Sequence, residues 1–119
     1  MEKRVTRLFT GPDGESHFED IEFPLQNKAS SGLRSSELLK ATGIRFGEMG
    51  ADYKPYWHPA PHRQIVITLE GRGEIEISDG TKRQFGPNDV VLAEDTTGRG
   101  HIHRVLSNEP EKLVFIILD

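Results

Sequence analysis

The stretch HPAPHRQIVITLEGRG, residues 58–73, decides how the chain is expected to fold. Its central part, residues 63–69, is rich in β-branched residues and is followed by a glycine, which is typical of a strand. Side chains alternate between the two faces of a strand. One face therefore carries a polar, histidine-rich set: His58, Ala60, His62, Gln64, Val66 and Thr68. The opposite face is aliphatic and carries Ile65, Ile67 and Leu69.

Short strands separated by glycine and proline are expected along the rest of the chain. We predict strands over residues 73–78, 81–85, 90–93, 101–106 and 112–118, with a hairpin turn at Asp79-Gly80 and a further turn at residues 86–89. Residues 35–41 form the one stretch with good helix formers, but they equally fit the start of a strand running through Ile44 and Phe46. So many short strands predict an antiparallel sandwich or barrel.

The two faces of the strand at residues 58–69 distinguish these architectures. In a two-sheet sandwich, the aliphatic face would be the core and the histidines would lie in water. In a barrel that holds a ligand, the histidines point inward and the aliphatic face packs on another sheet or subunit. The run from Val114 to Leu118 is apolar on both faces and also needs cover on two sides. We therefore favour the barrel and expect a homodimer.

Composition limits the classes of function. The chain has 119 residues, of which 34% are hydrophobic, so one domain over residues 1–119 is expected. Within it, we expect residues 1–25 to form a strand arm that packs on the barrel or on a second subunit. The absence of cysteine excludes disulfides and thiolate chemistry. A net charge of −4 without a dense basic patch argues against nucleic-acid binding. Without a leader-like or long apolar segment, we expect a cytoplasmic protein with no membrane partner.

The histidines form two groups in the sequence. His58 and His62 open the long strand, and His101 and His103 open another strand after a glycine-containing loop. Imidazoles from two barrel strands can assemble a metal site with open coordination positions. Two prolines between His58 and His62 exclude a helical zinc pair.

Residues 58–73, with Gln64 seven positions before Gly71, resemble the first motif of the cupin superfamily, and residues 86–108 resemble the second. Residues 8–20 also resemble the opening of small, single-domain bacterial cupins. The resemblance implies an all-β fold, the cupin-type double-stranded β-helix or jelly-roll barrel. It also implies that His58 and His101 match the first and last histidine ligands of that family. Ala60 stands at the second histidine position and Gln64 at the glutamate position, so both depart from the pattern.

His62 has the correct facing to replace the ligand missing at Ala60. We therefore predict a metal set of His58, His62 and His101, with Gln64 as an optional fourth ligand, for Fe, Mn, Ni or Zn. The alternative is that these groups only form hydrogen bonds at the rim or in the barrel. Predicted pocket-lining residues are Trp57, Tyr56, Val66, Thr68 and His103. Glu94 and Asp95 are acid–base candidates because they precede His101.

Two functions remain open from the sequence. The first is a metal-dependent enzyme of oxygenase, isomerase or lyase type that acts on a small organic molecule in the barrel. The second is a metal-free barrel that binds a small ligand or serves as an accessory module. A purely structural dimeric domain is a third hypothesis. It is disfavoured because burying several polar groups without a role would cost stability.

Overall fold

A computed structural model describes residues 2–27 and 30–118; Met1 and Asp119, the ends of the predicted domain, lie outside the described residues. The described chain forms strands, turns and loops. In that part of the chain, no helix is long and apolar enough to cross a membrane. The strands are β1 (Glu2–Thr10), β2 (Ser16–Pro24), β3 (Gln26–Asn27), β4 (Arg34–Ser35), β5 (Gly43–Met49), β6 (Gln64–Glu70), β7 (Gly73–Glu76), β8 (Lys82–Phe85), β9 (Val90–Glu94), β10 (Ile102–Val105) and β11 (Glu111–Ile117).

Most of these strands belong to two sheets that enclose the barrel interior. The larger sheet has the order β2-β1-β9-β6-β11-β5, and the smaller has the order β10-β7-β8. An isolated bridge between His58 and His101 links the segment before β6 to the segment before β10. This arrangement confirms the predicted all-β, cupin-type jelly-roll barrel. The pairings are antiparallel apart from β1 with β9, which run parallel.

The alternation read from β6 continues across the larger sheet. Toward the interior, Leu8, Val91 and Ala93 form a buried cluster with Ile75 and Phe85 of the smaller sheet and with Ile77, which directly follows β7. On the opposite side, Ile65, Val5 and Leu92 form a second buried cluster, against which Ile67 and Ile116 pack. The larger sheet therefore has apolar residues on both faces, and the polar residues of β6 lie on the interior one.

The turns adopt backbone conformations that their residues favour. Asn88 has a φ of 75°, a left-handed conformation that asparagine tolerates better than most residues. Its backbone N–H donates to the Thr68 carbonyl at 3.0 Å, and the Asp89 carboxylate accepts from the Gly86 N–H at 2.8 Å. Gly80, at a φ of 90°, closes the β7–β8 hairpin at the predicted Asp-Gly turn.

Three segments differ in detail from the sequence predictions. The strand predicted over residues 58–69 begins only at Gln64, and before it His58 forms an isolated bridge with His101. Residues 36–41 are neither helix nor strand, and the strand through Ile44 and Phe46 begins only at Gly43. The leucines of this segment are exposed, so no buried apolar stripe stabilises a helix there. The described part of the predicted arm forms the β1–β2 hairpin, which joins the larger sheet through β1 and β9.

Candidate functional site

The barrel encloses a cavity of about 340 Å³. Its walls are largely apolar, with Leu8, Val66, Val91 and Leu113 among them. The polar groups that line it are His58, His62, Gln64, Thr68, His101, His103, Tyr53, Tyr56, Arg45 and Glu111. A volume in this range, with apolar walls and a few polar groups, is typical of a small-molecule site.

His58 and His101 are brought together by backbone pairing. The His58 N–H donates to the His101 carbonyl and the His101 N–H donates to the His58 carbonyl, both at 3.0 Å. Their imidazole centroids lie 4.9 Å apart. Gly100, at a φ of 81°, allows this approach because a Cβ there would overlap the His58 carbonyl. The glycine-containing loop before His101 thus fixes the two imidazoles side by side.

His101 is held by a buried carboxylate. Its Nδ1 lies 2.6 Å from Asp95 Oδ2, and the Asp95 side chain is 0% exposed. The Ser16 hydroxyl donates to the same oxygen at 2.7 Å, and the Ala60 N–H donates to the Asp95 carbonyl at 2.9 Å. An ionised carboxylate can only accept hydrogen bonds, so the pairing places the proton of the neutral His101 ring on Nδ1. The other ring nitrogen, Nε2, is then left unprotonated in an imidazole that lines the cavity.

A second buried histidine–carboxylate pair also lines the cavity. His103 Nε2 lies 2.7 Å from Glu111 Oε1, and the Glu111 side chain is 1% exposed. The carboxylate packs on the backbone of Gly73, where a Cβ would overlap its oxygens. The Tyr53 ring meets the His103 ring edge-on at 6.2 Å. Because His101 and His103 are two residues apart, both imidazoles lie on the same face of this strand region.

The protonation of His58 and Tyr53 is shaped by burial. His58 Nδ1 lies 2.9 Å from the Tyr56 carbonyl, and the two rings stack at 4.3 Å. Burial lowers the pKa of His58, and this outweighs the Tyr56 carbonyl, which favours the protonated ring. Burial likewise raises the pKa of Tyr53, so its hydroxyl stays a hydrogen-bond donor. At neutral pH the cavity therefore contains a neutral imidazole and a protonated phenol.

The remaining predicted residues occupy different depths. Gln64 and Thr68 are buried, and their side chains form no hydrogen bond to another described residue. His62 lies at the rim, where it lines both the cavity and an outer surface pocket that includes Glu94. Among the described residues, those that line the cavity do not include Trp57, and the centroid of its ring lies 4.2 Å from Arg99 Cζ. Its neighbours Tyr56 and His58 line the cavity, as expected when successive side chains point to opposite sides.

Two histidines of the cavity have the Nδ1 ring nitrogen engaged by an oxygen. The Nδ1 atoms of His58 and His101 each meet an oxygen, as is usual for histidines whose other nitrogen binds metal. Within residues 2–27 and 30–118, however, no three His, Cys, Asp or Glu side chains are grouped to hold an ion. The side chains as placed therefore do not fit a three-histidine centre, and the predicted metal set stays a prediction.

Sequence reasoning missed two charged residues of the cavity wall, Glu111 and Arg45. Glu111 begins β11, where it reads as part of the charged turn Asn-Glu-Pro-Glu-Lys. Arg45 lies between Ile44 and Phe46, and an apolar-inward interpretation of β5 would turn it outward. The register shows the reverse: Arg45 pairs with Phe115, which pairs with Val66 of the interior face. Sheet register was the signal needed to find both residues.

Comparisons of this chain with known proteins found only solved structures with a similar fold. No family model and no curated protein matches the chain. Among solved structures, protein NMB1881 from Neisseria meningitidis is similar at 15% identity and a TM-score of 0.47, over 75% of this chain and 90% of that chain. An ethanolamine utilization protein Q from Salmonella typhimurium is similar at 14% identity and a TM-score of 0.46, over 99% of this chain and 97% of its own. The fold, an all-β jelly-roll barrel, is shown by the strand arrangement described above.

Proposed function

We propose that the protein binds a small organic molecule inside the barrel and that His101 exchanges a proton or a hydrogen bond with it. The observation that carries this proposal is the buried Asp95–His101 pair on the wall of a cavity of about 340 Å³. A carboxylate that fixes the tautomer and orientation of an imidazole is the usual arrangement of a histidine acid–base group. The proposal requires no metal.

The unused hydrogen-bonding capacity of the wall supports a bound ligand. Gln64 and Thr68 are 7% and 4% exposed, and their side chains have no partner among the described residues. Their polar atoms are not among the fully enclosed unpaired atoms of the described residues, so they are open to the cavity, where a ligand would replace solvent as their partner. The Tyr53 hydroxyl adds a donor on the same wall.

The test is ligand-observed and protein-observed NMR with a mixture of small neutral, anionic and cationic fragments. We expect binders that shift the backbone amides of Gln64, Thr68 and His101 and that bind at least about fivefold more weakly to His101→Ala. His17→Ala is the matched control, because that imidazole pairs with Asp13 at the surface. Fragments that shift no cavity amide, or that bind the His101 variant unchanged, would contradict the proposal.

A metal-dependent enzyme is the second candidate function. It is favoured by the neighbouring imidazoles of His58 and His101, whose Nδ1 atoms are both engaged by oxygens. Metal analysis of the native protein, loaded in turn with Fe, Mn, Ni and Zn, tests it against His101→Ala and His62→Ala. Stoichiometric metal that both variants lose would establish the metal site and so support this candidate. No retained metal in the native protein would refute it.

We also propose a homodimer formed through the outer face of the larger sheet. The buried outer cluster around Ile65 and Leu92 continues at β5 into Ile44 and Phe46, which are 61% and 72% exposed. Leu69, on the same side of β6, is 49% exposed. An apolar face that continues to an exposed edge strand suits a second copy of the same sheet. Solution mass by light scattering tests this, and a monomer at micromolar concentration would refute it.

A further inference from the structure

Arg45 is a cationic side chain on the interior side of a barrel strand. It lies on β5 in register with Phe115, which is itself in register with Val66, and all three line the cavity. Its neighbours Ile44 and Phe46 face the opposite side of the sheet. No hydrogen bond or ion pair joins Arg45 to another described residue.

This lack of a partner contrasts with four other strand arginines of the described chain, although Arg34 of β4 likewise forms no ion pair with a described residue. Ion pairs to carboxylates are formed by Arg4, Arg7, Arg83 and Arg104. Solvent reaches Arg45 at the cavity mouth, so its charge carries no large burial cost. Its guanidinium therefore remains available, with its fork of donors, to a group that enters the barrel.

The cavity wall carries one other charged side chain. This is the carboxylate of Glu111, which is already paired with His103 through Oε1 and lies against Gly73. The imidazole of His58 is neutral at neutral pH, as described above. Arg45 is therefore the permanent positive charge among the described residues of the wall, and an anion that enters the barrel can pair with it.

We infer that the ligand of this barrel is a small carboxylic acid whose carboxylate is bound by Arg45 and whose carbon skeleton lies on the apolar wall. The inference rests on the proposed function and names the ligand class for that site. A guanidinium binds a carboxylate through two parallel hydrogen bonds. One free guanidinium matches a monoanion, whereas a phosphate monoester carries a charge of about −1.5 to −2 at pH 7 and calls for more cationic groups.

The test compares acids with amides of the same skeleton by NMR titration: benzoate with benzamide and butyrate with butyramide, with phenyl phosphate as a further probe. In the native protein, we expect each acid to bind at least about tenfold more tightly than its amide and benzoate to bind more tightly than phenyl phosphate. Arg45→Gln should reduce binding of the acids to the level of the amides and leave the amides unchanged. Arg4→Gln is the matched control, because Arg4 lies on β1 outside the cavity wall.

Each other outcome has a defined meaning. Equal binding of acids and amides, or acids unaffected by Arg45→Gln, would overturn the inference. If the amides still bound and His101→Ala weakened them, the proposed function would stand alone. Tighter binding of phenyl phosphate than of benzoate would overturn the carboxylate assignment. If none of the five probes shifted a cavity amide, the inference and the ligand-binding proposal would both fall.

Discussion

Replacing Gly100 by alanine should disrupt the pairing that places His58 beside His101. Gly100 has a φ of 81°, and left-handed backbone costs a residue with a Cβ about 1–2 kcal/mol. A Cβ there would also lie well within 3.0 Å of three backbone atoms, His58 C and O and Pro59 N. Backbone cannot rotate away as a side chain can, so a further penalty of about 1–3 kcal/mol for overpacking is expected.

Gly80 offers a matched control for this substitution. Its φ is 90°, but a Cβ there would have no atom within 4 Å. Gly80→Ala should therefore show the conformational penalty alone. With a urea m-value of about 2 kcal/mol/M, an overpacking penalty of about 2 kcal/mol places the Gly100→Ala midpoint about 1 M below that of Gly80→Ala. Equal midpoints would show that the close approach of residues 58 and 100 contributes nothing to stability.

Three further predictions concern the site and the outer face. The imidazole of His58 should titrate below pH 6.5 by NMR, because burial lowers its pKa. In the unfolded chain the same imidazole binds its proton near pH 6.5, so the free energy of unfolding should fall as the pH drops below this value. This fall should be smaller in His58→Gln. Gly73→Ala should displace the Glu111 carboxylate and lower the urea midpoint of unfolding. The chemical shift of the His103 ring proton, which reports the pairing of His103 with Glu111, should change as well. An unchanged shift would contradict the prediction. Phe46→Glu should convert the proposed dimer into a folded monomer in light scattering, since Phe46 is 72% exposed on the outer face; an unchanged mass would exclude that interface.

Much of the fold could be predicted because alternation along β6 is regular. The period of two placed Gln64 and Thr68 on the interior face, and the Asp-Gly and Pro-containing turns marked where neighbouring strands end. The same pattern misleads at β5, where the apolar residues face outward and Arg45 faces the cavity. Hydrophobicity alone cannot orient a strand whose sheet has apolar residues on both faces, so only register with β11 settles the matter.

The histidine pairs illustrate a different limit of sequence reasoning. Asp95 was an acid–base candidate, with Glu94, because both precede His101, but its pairing with His101 was found only in the structure. Glu111 lies eight residues after His103, across a turn containing Pro110, and their contact depends on how β10 and β11 are placed by different sheets. Contacts of this kind are set by tertiary structure and leave no periodic signal in the sequence.

The hydroxyl of Ser16 gives the β1–β2 hairpin a direct connection to the site. Ser16 begins β2, and Asp95 accepts from it with the same oxygen that faces His101. Local opening of the hairpin would leave Asp95 with one partner fewer and His101 less firmly held. A ligand that binds only the closed site makes opening of the hairpin less favourable, so by linkage it must slow hydrogen exchange of the amides in β1 and β2. In the larger sheet, β2 is the edge strand and β1 lies next to it. The hairpin would then report occupancy of the barrel from the surface of the protein.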